Sequence, residues 1–190
     1  MTALRNFSIV TALTIFERRK FMLAILLLVF GIVSRFIIHI PNFTPVVALA
    51  LFSGTYLPKR YAVIFPVSLM IISDFFIGFH ETILFTWGSL ALISILGFLN
   101  RGHKNSVTIL SSSLLAALLF FVLTNFGTWL LSDLYPRTLD GLKECFILAV
   151  PFFRTTLLST VVYTFVIFGL YEIAAQRVKE TRLRRVLLEV

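Results

Sequence analysis

Six apolar runs separated by short polar segments make up most of the chain. A transmembrane α-helix needs about 20 consecutive apolar residues to cross the hydrocarbon core of a bilayer. The pattern therefore predicts an all-α membrane protein, a bundle of six transmembrane helices. The predicted spans are residues 21–40, 46–57, 61–79, 82–99, 107–131 and 145–174.

Prolines and charged residues mark the breaks between these runs. Pro41 and Pro45 end the first span in a turn, because proline cannot continue a helix. The second span is short, and a re-entrant segment is its alternative. Pro66 predicts a kink in the third span.

The composition supports the membrane prediction and fixes an orientation. Hydrophobic residues make up 58% of the chain and charged residues only 14%, too few to cover a soluble core. Of the Lys and Arg residues, thirteen fall in the terminal segments and two of the loops, against two in the three opposite loops. Cytoplasmic loops carry such an excess, so we expect both termini in the cytoplasm. The net charge of +8 therefore points to a bilayer partner and not to nucleic acid.

Three regions follow from this pattern. Residues 1–20 form a cytoplasmic or interfacial segment, in which residues 5–18 are expected to be an amphipathic helix or, alternatively, a loosely ordered tail. Residues 21–174 form the six-helix transmembrane domain. Residues 175–190 form a basic cytoplasmic tail.

Three ionisable side chains, Arg35, Asp74 and Arg154, lie inside predicted spans and away from their ends, where each costs roughly 2.5–3.5 kcal/mol. At about 1.5 Å per residue, all three and Asn125 fall between the midplane and the outer face. We therefore expect an outward-facing substrate pocket, to which Trp129 adds an aromatic ring. The alternative is that Arg35 and Asp74 form only a structural ion pair between spans one and three.

Each residue of this pocket has an expected role. Arg154 has no second acid at its depth, so it would recognise a carboxylate or phosphate of the ligand. Asp74 would orient Arg35 or accept a ligand donor, and Trp129 would stack on a planar ring. Loops 41–45 and 132–143 would act as lids, with Asn42, Phe43 and Tyr135 as lid residues.

Catalytic and nucleotide-binding motifs are absent from the sequence. It contains no HExxH, no Gly-x-Ser-x-Gly and no phosphate-binding Gly-Lys-Ser/Thr loop. We therefore expect no enzyme and no cofactor, with any active transport driven by an ion gradient or a separate ATPase. His39 and His80 are expected to be interfacial and not metal ligands. The small-residue pair Ala50/Gly54 is interpreted as helix packing, with a dimer motif as its alternative. The stripe Thr156, Thr160 and Thr164 is also interpreted as helix packing, with ligand contact as its alternative.

The sequence from His39 to Gly54, HIPNFTPVVALALFSG, resembles an uncharacterised family of small bacterial membrane proteins labelled as candidate transport proteins. Further matches are Ser73-Asp74, residues 124–129, Tyr135-Pro136, Gly141-Leu142 and residues 151–153. The resemblance implies a multi-pass protein of the bacterial cytoplasmic (inner) membrane.

More distantly, the arrangement resembles the substrate-binding subunit of energy-coupling-factor vitamin transporters. That resemblance implies capture of a small vitamin-like micronutrient outside the cell and a partner ATPase or coupling module. Two departures are visible: span one lacks an Ala-x-x-x-Ala docking pair, and Ser159-Thr160 stands where the family pattern has Gly-Asp. The rival expectation is a non-transporting structural protein or assembly factor.

Overall fold

The computed structural model describes residues 24–37 and 40–180, without the side chains of residue 60 and residues 174–180. In this part of the chain the regular structure is entirely helical, so the predicted all-α class is confirmed. In chain order the helices are α1 (Ala24–Ile37), α2 (Val46–Tyr56), α3 (Lys59–Ala62), α4 (Ile64–Ile77), α5 (Ile83–Gly97), a 3-10 helix (Phe98–Arg101), α6 (Ser106–Leu131) and α7 (Leu139–Glu180). The predicted segment 1–20, His39 and residues 181–190 lie outside the described residues.

Three helical segments are long and apolar enough to cross a membrane: Ile83–Arg101, Ser106–Leu131 and Leu139–Ile173. Three shorter apolar helices, α1, α2 and α4, accompany them. Large apolar side chains project outward from α1, α4, α5, α6 and α7, as in Phe75 and Leu84, which are 70% and 72% exposed. Such an apolar exterior is compatible with lipid and not with water, which supports a membrane protein.

Helix α2 forms the centre of the bundle. Every residue from Val46 to Thr55 is buried, and the helix packs against α4, α5, α6 and α7. Helix α1 joins this core through Gly31, where an added Cβ would overlap the Leu69 side chain and lie 2.8 Å from Leu49 Cδ1. With eleven residues, α2 is roughly 16 Å long, about half of the hydrocarbon thickness. Because the residues from Val46 to Thr55 are buried, the α2 backbone is surrounded by protein and not by lipid.

Small residues bring α2 and α5 into close contact. A Cβ built on Gly54 would lie 2.9 Å from Gly97 Cα and would overlap the Ser94 carbonyl oxygen. The Ser94 hydroxyl accordingly reaches the Ala50 carbonyl oxygen at 3.1 Å across the interface. The pair Ala50/Gly54 thus serves helix packing within the chain, as its sequence suggested.

Several boundaries differ from the sequence prediction. The third predicted span is divided at Val63 between α3 and α4, and Pro66 lies in the first turn of α4 and not at a kink. Proline is tolerated there because the first N–H groups of a helix have no helical acceptor. Helix α7 begins at Leu139, inside the predicted loop 132–143, and continues past residue 174 to Glu180 with Pro151 inside it.

Candidate functional site

A cavity of about 320 Å³ opens at one end of the bundle. Its walls come from α1 (Arg35), loop 41–45 (Asn42, Thr44), α2 (Val46, Val47), α4 (Met70), His80, α5 (Thr86, Leu90), α6 (Phe120, Phe121, Thr124, Asn125) and α7 (Phe152, Phe153, Thr156, Ser159). These residues lie toward loop 41–45 and His80. The segments that carry Lys59 and Arg101 lie at the other end of the bundle, because α5 runs from one end to the other. The cavity is thus remote from the basic loops.

Arg35 is the cation that lines the cavity, and it is anchored by α4. Its Nη1 lies 2.6 Å from Asp74 Oδ1 and 3.3 Å from Met70 Sδ, and it also donates to Ser73 Oγ. All hydrogen bonds described for the guanidinium are made by this one nitrogen. The expected proximity of Arg35 and Asp74 is therefore observed, and the pair joins α1 to α4.

Asp74 does not line the cavity but is buried behind Arg35, with 1% of the residue exposed. Its second carboxylate oxygen, Oδ2, accepts a hydrogen bond from Trp87 Nε1 at 2.9 Å. Both carboxylate oxygens therefore have a partner, which a buried charge requires. This arrangement fits the expectation that Asp74 orients Arg35, and it leaves Arg35 as the member of the pair that lines the cavity.

Asn125, on α6, lines the same cavity as Arg35. Its Nδ2 donates to the Phe121 carbonyl oxygen at 2.7 Å, one turn back on the same helix. A backbone carbonyl can only accept, so the nitrogen must face it and the amide orientation is determined. The structure thus brings Arg35, Asn125 and, behind Arg35, Asp74 together.

Arg154 is not part of this wall. It is exposed on α7, although its neighbours Phe153 and Thr156 line the cavity. Successive residues of an α-helix are rotated by about 100°, so Arg154 points roughly 200° away from Thr156. The expected role of Arg154 in charge recognition therefore has no geometric support.

Trp129 also lies outside the cavity lining. Its Nε1 donates to the Pro136 carbonyl oxygen at 3.1 Å, and its ring packs on Phe126 with centroids 5.6 Å apart. Trp129 therefore fastens the loop after α6 to the helix, and its indole N–H is used for that purpose. Tyr135, in the same loop, is half-buried and does not line the cavity either.

Of the expected lid residues, Asn42 borders the cavity. It is exposed, has a left-handed backbone with φ of 60°, and accepts a hydrogen bond on its carbonyl oxygen from Ser159 Oγ at 3.1 Å. Phe43 packs on Tyr163 with ring centroids 5.6 Å apart. Loop 41–45 is thus tied to α7 at the cavity rim, whereas the loop after α6 is not part of it.

Sequence reasoning missed the partners that complete the site. Met70 lies one helical turn before Asp74, so helical periodicity places it on the same face of α4. Ser73 is the residue next to Asp74, and periodicity does not place it on that face. The contact of Asp74 with Trp87 joins two helices, and no spacing in the sequence indicates it. The four phenylalanines of the wall are also indistinguishable in sequence from the many that face outward. The described residues contain no group of three or more His, Cys, Asp or Glu side chains able to hold a metal ion.

A family model matches residues 15–183, which is most of the chain and includes every residue of the cavity. The chain belongs to DUF6580, a family of unknown function. No curated protein and no solved structure is significantly similar to the chain. Arg35, Asp74 and Asn125 thus lie within the part of the chain that defines DUF6580 membership.

Proposed function

We propose that this protein is a substrate-binding membrane subunit for the uptake of a small, vitamin-like micronutrient or its precursor. The observation that carries the proposal is a cavity of about 320 Å³ into which an anchored arginine projects. Ligand sites are typically concave, about 300–1,000 Å³ in volume, mostly apolar and equipped with a few oriented polar groups. The phenyl rings, Arg35 and Asn125 supply that combination.

The proposal includes six membrane spans with both termini in the cytoplasm of a bacterial cell. The basic loops and tail would then lie inside, and the cavity, at the opposite end of the bundle, would open to the exterior. The shorter helices α1, α2 and α4 would cross the bilayer together with their neighbours. An outward-opening cavity favours capture of a solute and not its export.

Energy for uptake would come from outside this chain. The sequence has no phosphate-binding loop, so it offers no means of binding and hydrolysing ATP by the usual motif. A separate ATPase or coupling module, docked from the cytoplasmic side, would provide the driving force. Helix α7 extends to Glu180, beyond the predicted span. Its last turns would lie in the cytoplasm and provide a binding surface for such a module.

Thermal denaturation of the purified protein against a panel of vitamins and their precursors tests the proposal. A ligand that binds only the folded state stabilises it as its concentration rises above the dissociation constant. Phe121→Ala removes a cavity wall and should weaken the binding of any such ligand at least tenfold. The matched variant Phe126→Ala, on the same helix but 37% exposed outside the cavity, should bind as the wild type does.

The decisive negative result is a panel in which no compound stabilises the wild-type protein. Equal affinities of the Phe121→Ala and wild-type proteins would place the ligand elsewhere. Uptake of the bound compound by cells, lost on deletion of the gene and restored by the wild-type copy, would extend binding to transport.

A structural or assembly role is the second candidate, and the Arg35–Asp74 pair favours it. The pair joins α1 to α4 at 2.6 Å and is supported by Ser73 and Trp87. In a purely structural protein, variants of the cavity wall would be silent, whereas variants of the pair would lower the amount of folded protein. The Phe121→Ala measurement therefore separates the two candidates.

A further inference from the structure

The polar side chains of the cavity include one permanent cation, Arg35, and several hydroxyl and amide groups with free acceptor atoms. A guanidinium is always charged and has no acceptor atom. Asn42, Thr44 and His80 also line the wall and carry neutral donor groups. Asp74 pairs with Arg35 from behind but does not line the cavity, and no Asp or Glu occurs among the described residues of the wall, so a negative group of a ligand meets the Arg35 guanidinium and no carboxylate of the wall itself.

Four of the five hydroxyl groups of the wall, all except that of Thr44, have already used their single protons. Four lining residues donate to backbone carbonyl oxygens: Thr86 to Thr82 at 3.2 Å, Thr124 to Phe120 at 2.8 Å, Thr156 to Phe152 at 3.0 Å, and Ser159 to Thr156 at 3.0 Å or to Asn42 at 3.1 Å. A hydroxyl has one donor and two acceptor lone pairs. Any hydrogen bond that these residues offer a ligand is therefore one in which the ligand donates.

Asn125 contributes a further acceptor. Its Nδ2 is directed to the Phe121 carbonyl oxygen at 2.7 Å, which leaves the amide oxygen on the other side of the group. An amide oxygen has two lone pairs, and burying them without a donor is costly. A bound molecule with an N–H group satisfies this oxygen.

We infer that the cavity binds a small heteroaromatic monocarboxylate whose ring carries N–H donors. This inference rests on the proposed function and specifies its substrate class. The carboxylate pairs with Arg35, the N–H groups face Asn125 and the hydroxyls, and the ring lies among Phe120, Phe121, Phe152 and Phe153. A monoanion fits better than a phosphate dianion, because the described wall supplies one permanent cation.

The test uses acids with indole, imidazole, pyrimidinone and purine rings, each of which has a ring N–H. Each acid is compared with three relatives: its methyl ester, its ring-N-methyl derivative and the corresponding amine. Dissociation constants come from thermal denaturation of the full-length protein in detergent. At least one acid should bind, with its ester and N-methyl derivative at least tenfold weaker and its amine not detected. The ester lacks the charge for Arg35, and the N-methyl derivative lacks the proton for the acceptors.

Variants then assign the ligand's N–H contacts to residues. Thr156→Val keeps the volume but removes an acceptor, and Asn125→Leu removes the amide, so in either variant the preference for the acid over its N-methyl derivative should shrink several-fold. Thr155→Val is the matched control: Thr155 neighbours Thr156 but does not line the cavity, so the preference should persist. These variants leave the buried Arg35–Asp74 pair intact, so the test does not depend on a protein that fails to fold.

Three results overturn the inference. Esters or amines that bind more tightly than acids show that Arg35 does not select an anion, although the proposed uptake function stands if they bind in the cavity. If neither Thr156→Val nor Asn125→Leu reduces the preference for the acid over its N-methyl derivative, the N–H groups of the ligand contact other residues. If no acid binds but compounds of the vitamin panel do, the substrate class is refuted and the proposed function stands. If no compound of either panel binds, the proposed function is refuted as well.

Discussion

Arg35 lies at the border between the packed interior and the cavity, with its side chain 17% exposed against 2% for its partner Asp74. Removing two charges from water costs several kcal/mol per ion, and mutual attraction offsets this cost only when the remaining polar atoms are also satisfied. Ser73 and Trp87 meet that requirement. The pair therefore holds a guanidinium in place without leaving a buried carboxylate oxygen unpaired.

Replacing Asp74 by Ala should destabilise the protein by about 3–5 kcal/mol, because it leaves the Arg35 charge without its partner. The double variant Arg35→Met/Asp74→Leu should recover much of that loss, since an apolar pair needs no charge compensation. Thermal or denaturant unfolding of the wild type, Arg35→Met, Asp74→Leu and the double variant in detergent gives the coupling energy of the cycle. Strictly additive losses would show that the two side chains do not interact.

At the residue scale, depth along a helix could be predicted from the sequence, whereas direction around it could not. Arg35, Asp74 and Asn125 share one end of the bundle because their positions along apolar runs fix their depth. Arg154 satisfies the same criterion but points away from the cavity. In a helix surrounded by apolar groups, the hydrophobic pattern is too uniform to define which side faces inward.

Trp129 illustrates the same difficulty for aromatic side chains. From the sequence we expect Trp129, and not Trp87, in the pocket. In the structure Trp87 donates its N–H to Asp74 behind Arg35, and Trp129 donates to the Pro136 carbonyl oxygen. An indole has a single donor, so its partner decides its role. That partner depends on how the helices dock, which a single sequence does not specify.

At the scale of helices, α2 and α5 are in close contact through small residues. Van der Waals packing and interhelical hydrogen bonds, and not the hydrophobic effect, drive helix association in lipid. Gly54 and Gly97 allow that packing, and the Ser53 and Ser94 hydroxyls lie 3.2 Å apart within it. Arg101 adds an anchor at the end of the bundle opposite the cavity, donating to the carbonyl oxygens of Gly54 and Leu57 at 2.8 Å each.

Gly54→Ala should therefore destabilise the protein by about 1–3 kcal/mol or more, the usual cost of overpacking a tight interface. The new Cβ would overlap the Ser94 carbonyl oxygen, which is backbone and cannot rotate away. Unfolding in detergent measures the loss.

Gly88→Ala, on α5, is the matched control, because a Cβ at Gly88 has nothing within 4 Å. Alanine favours a helix by about 0.8–1 kcal/mol over glycine, so this variant should be neutral or slightly more stable. Equal losses for Gly54→Ala and Gly88→Ala would contradict the tight α2–α5 contact.

The helices themselves were largely predictable, because apolar runs and prolines mark them directly. The predicted span 107–131 coincides with α6 to within one residue. The break at Val63 was not predictable, since neither glycine nor proline occupies that position. The start of α7 at Leu139 was also not predicted, because the charged residues of its first turns are typical of a loop as well as of an exposed helix end.

At the scale of the whole molecule, the proposed orientation makes a direct prediction about the two ends of α6. Its 26 residues extend roughly 39 Å, enough to cross a hydrocarbon core of about 30 Å. In a Cys145→Ala background, Gly102→Cys should react with an impermeant maleimide only after the cells are opened. Asp133→Cys should react in intact spheroplasts. The reverse labelling pattern would show that the orientation is opposite to the proposed one. Equal labelling of both sites would show that α6 does not span the membrane.

Complete burial of α2 has a consequence for how the protein is made. A segment of eleven residues without a lipid-facing side gains little by entering a bilayer alone. Helices α5, α6 and α7, which pack on α2, are synthesised later. We therefore expect α2 to remain outside the hydrocarbon core until these helices are present. Chains truncated before α7 would lack part of the packing around α2 and should be degraded by quality-control proteases. Synthesis of α7 therefore completes the packed centre of the described bundle.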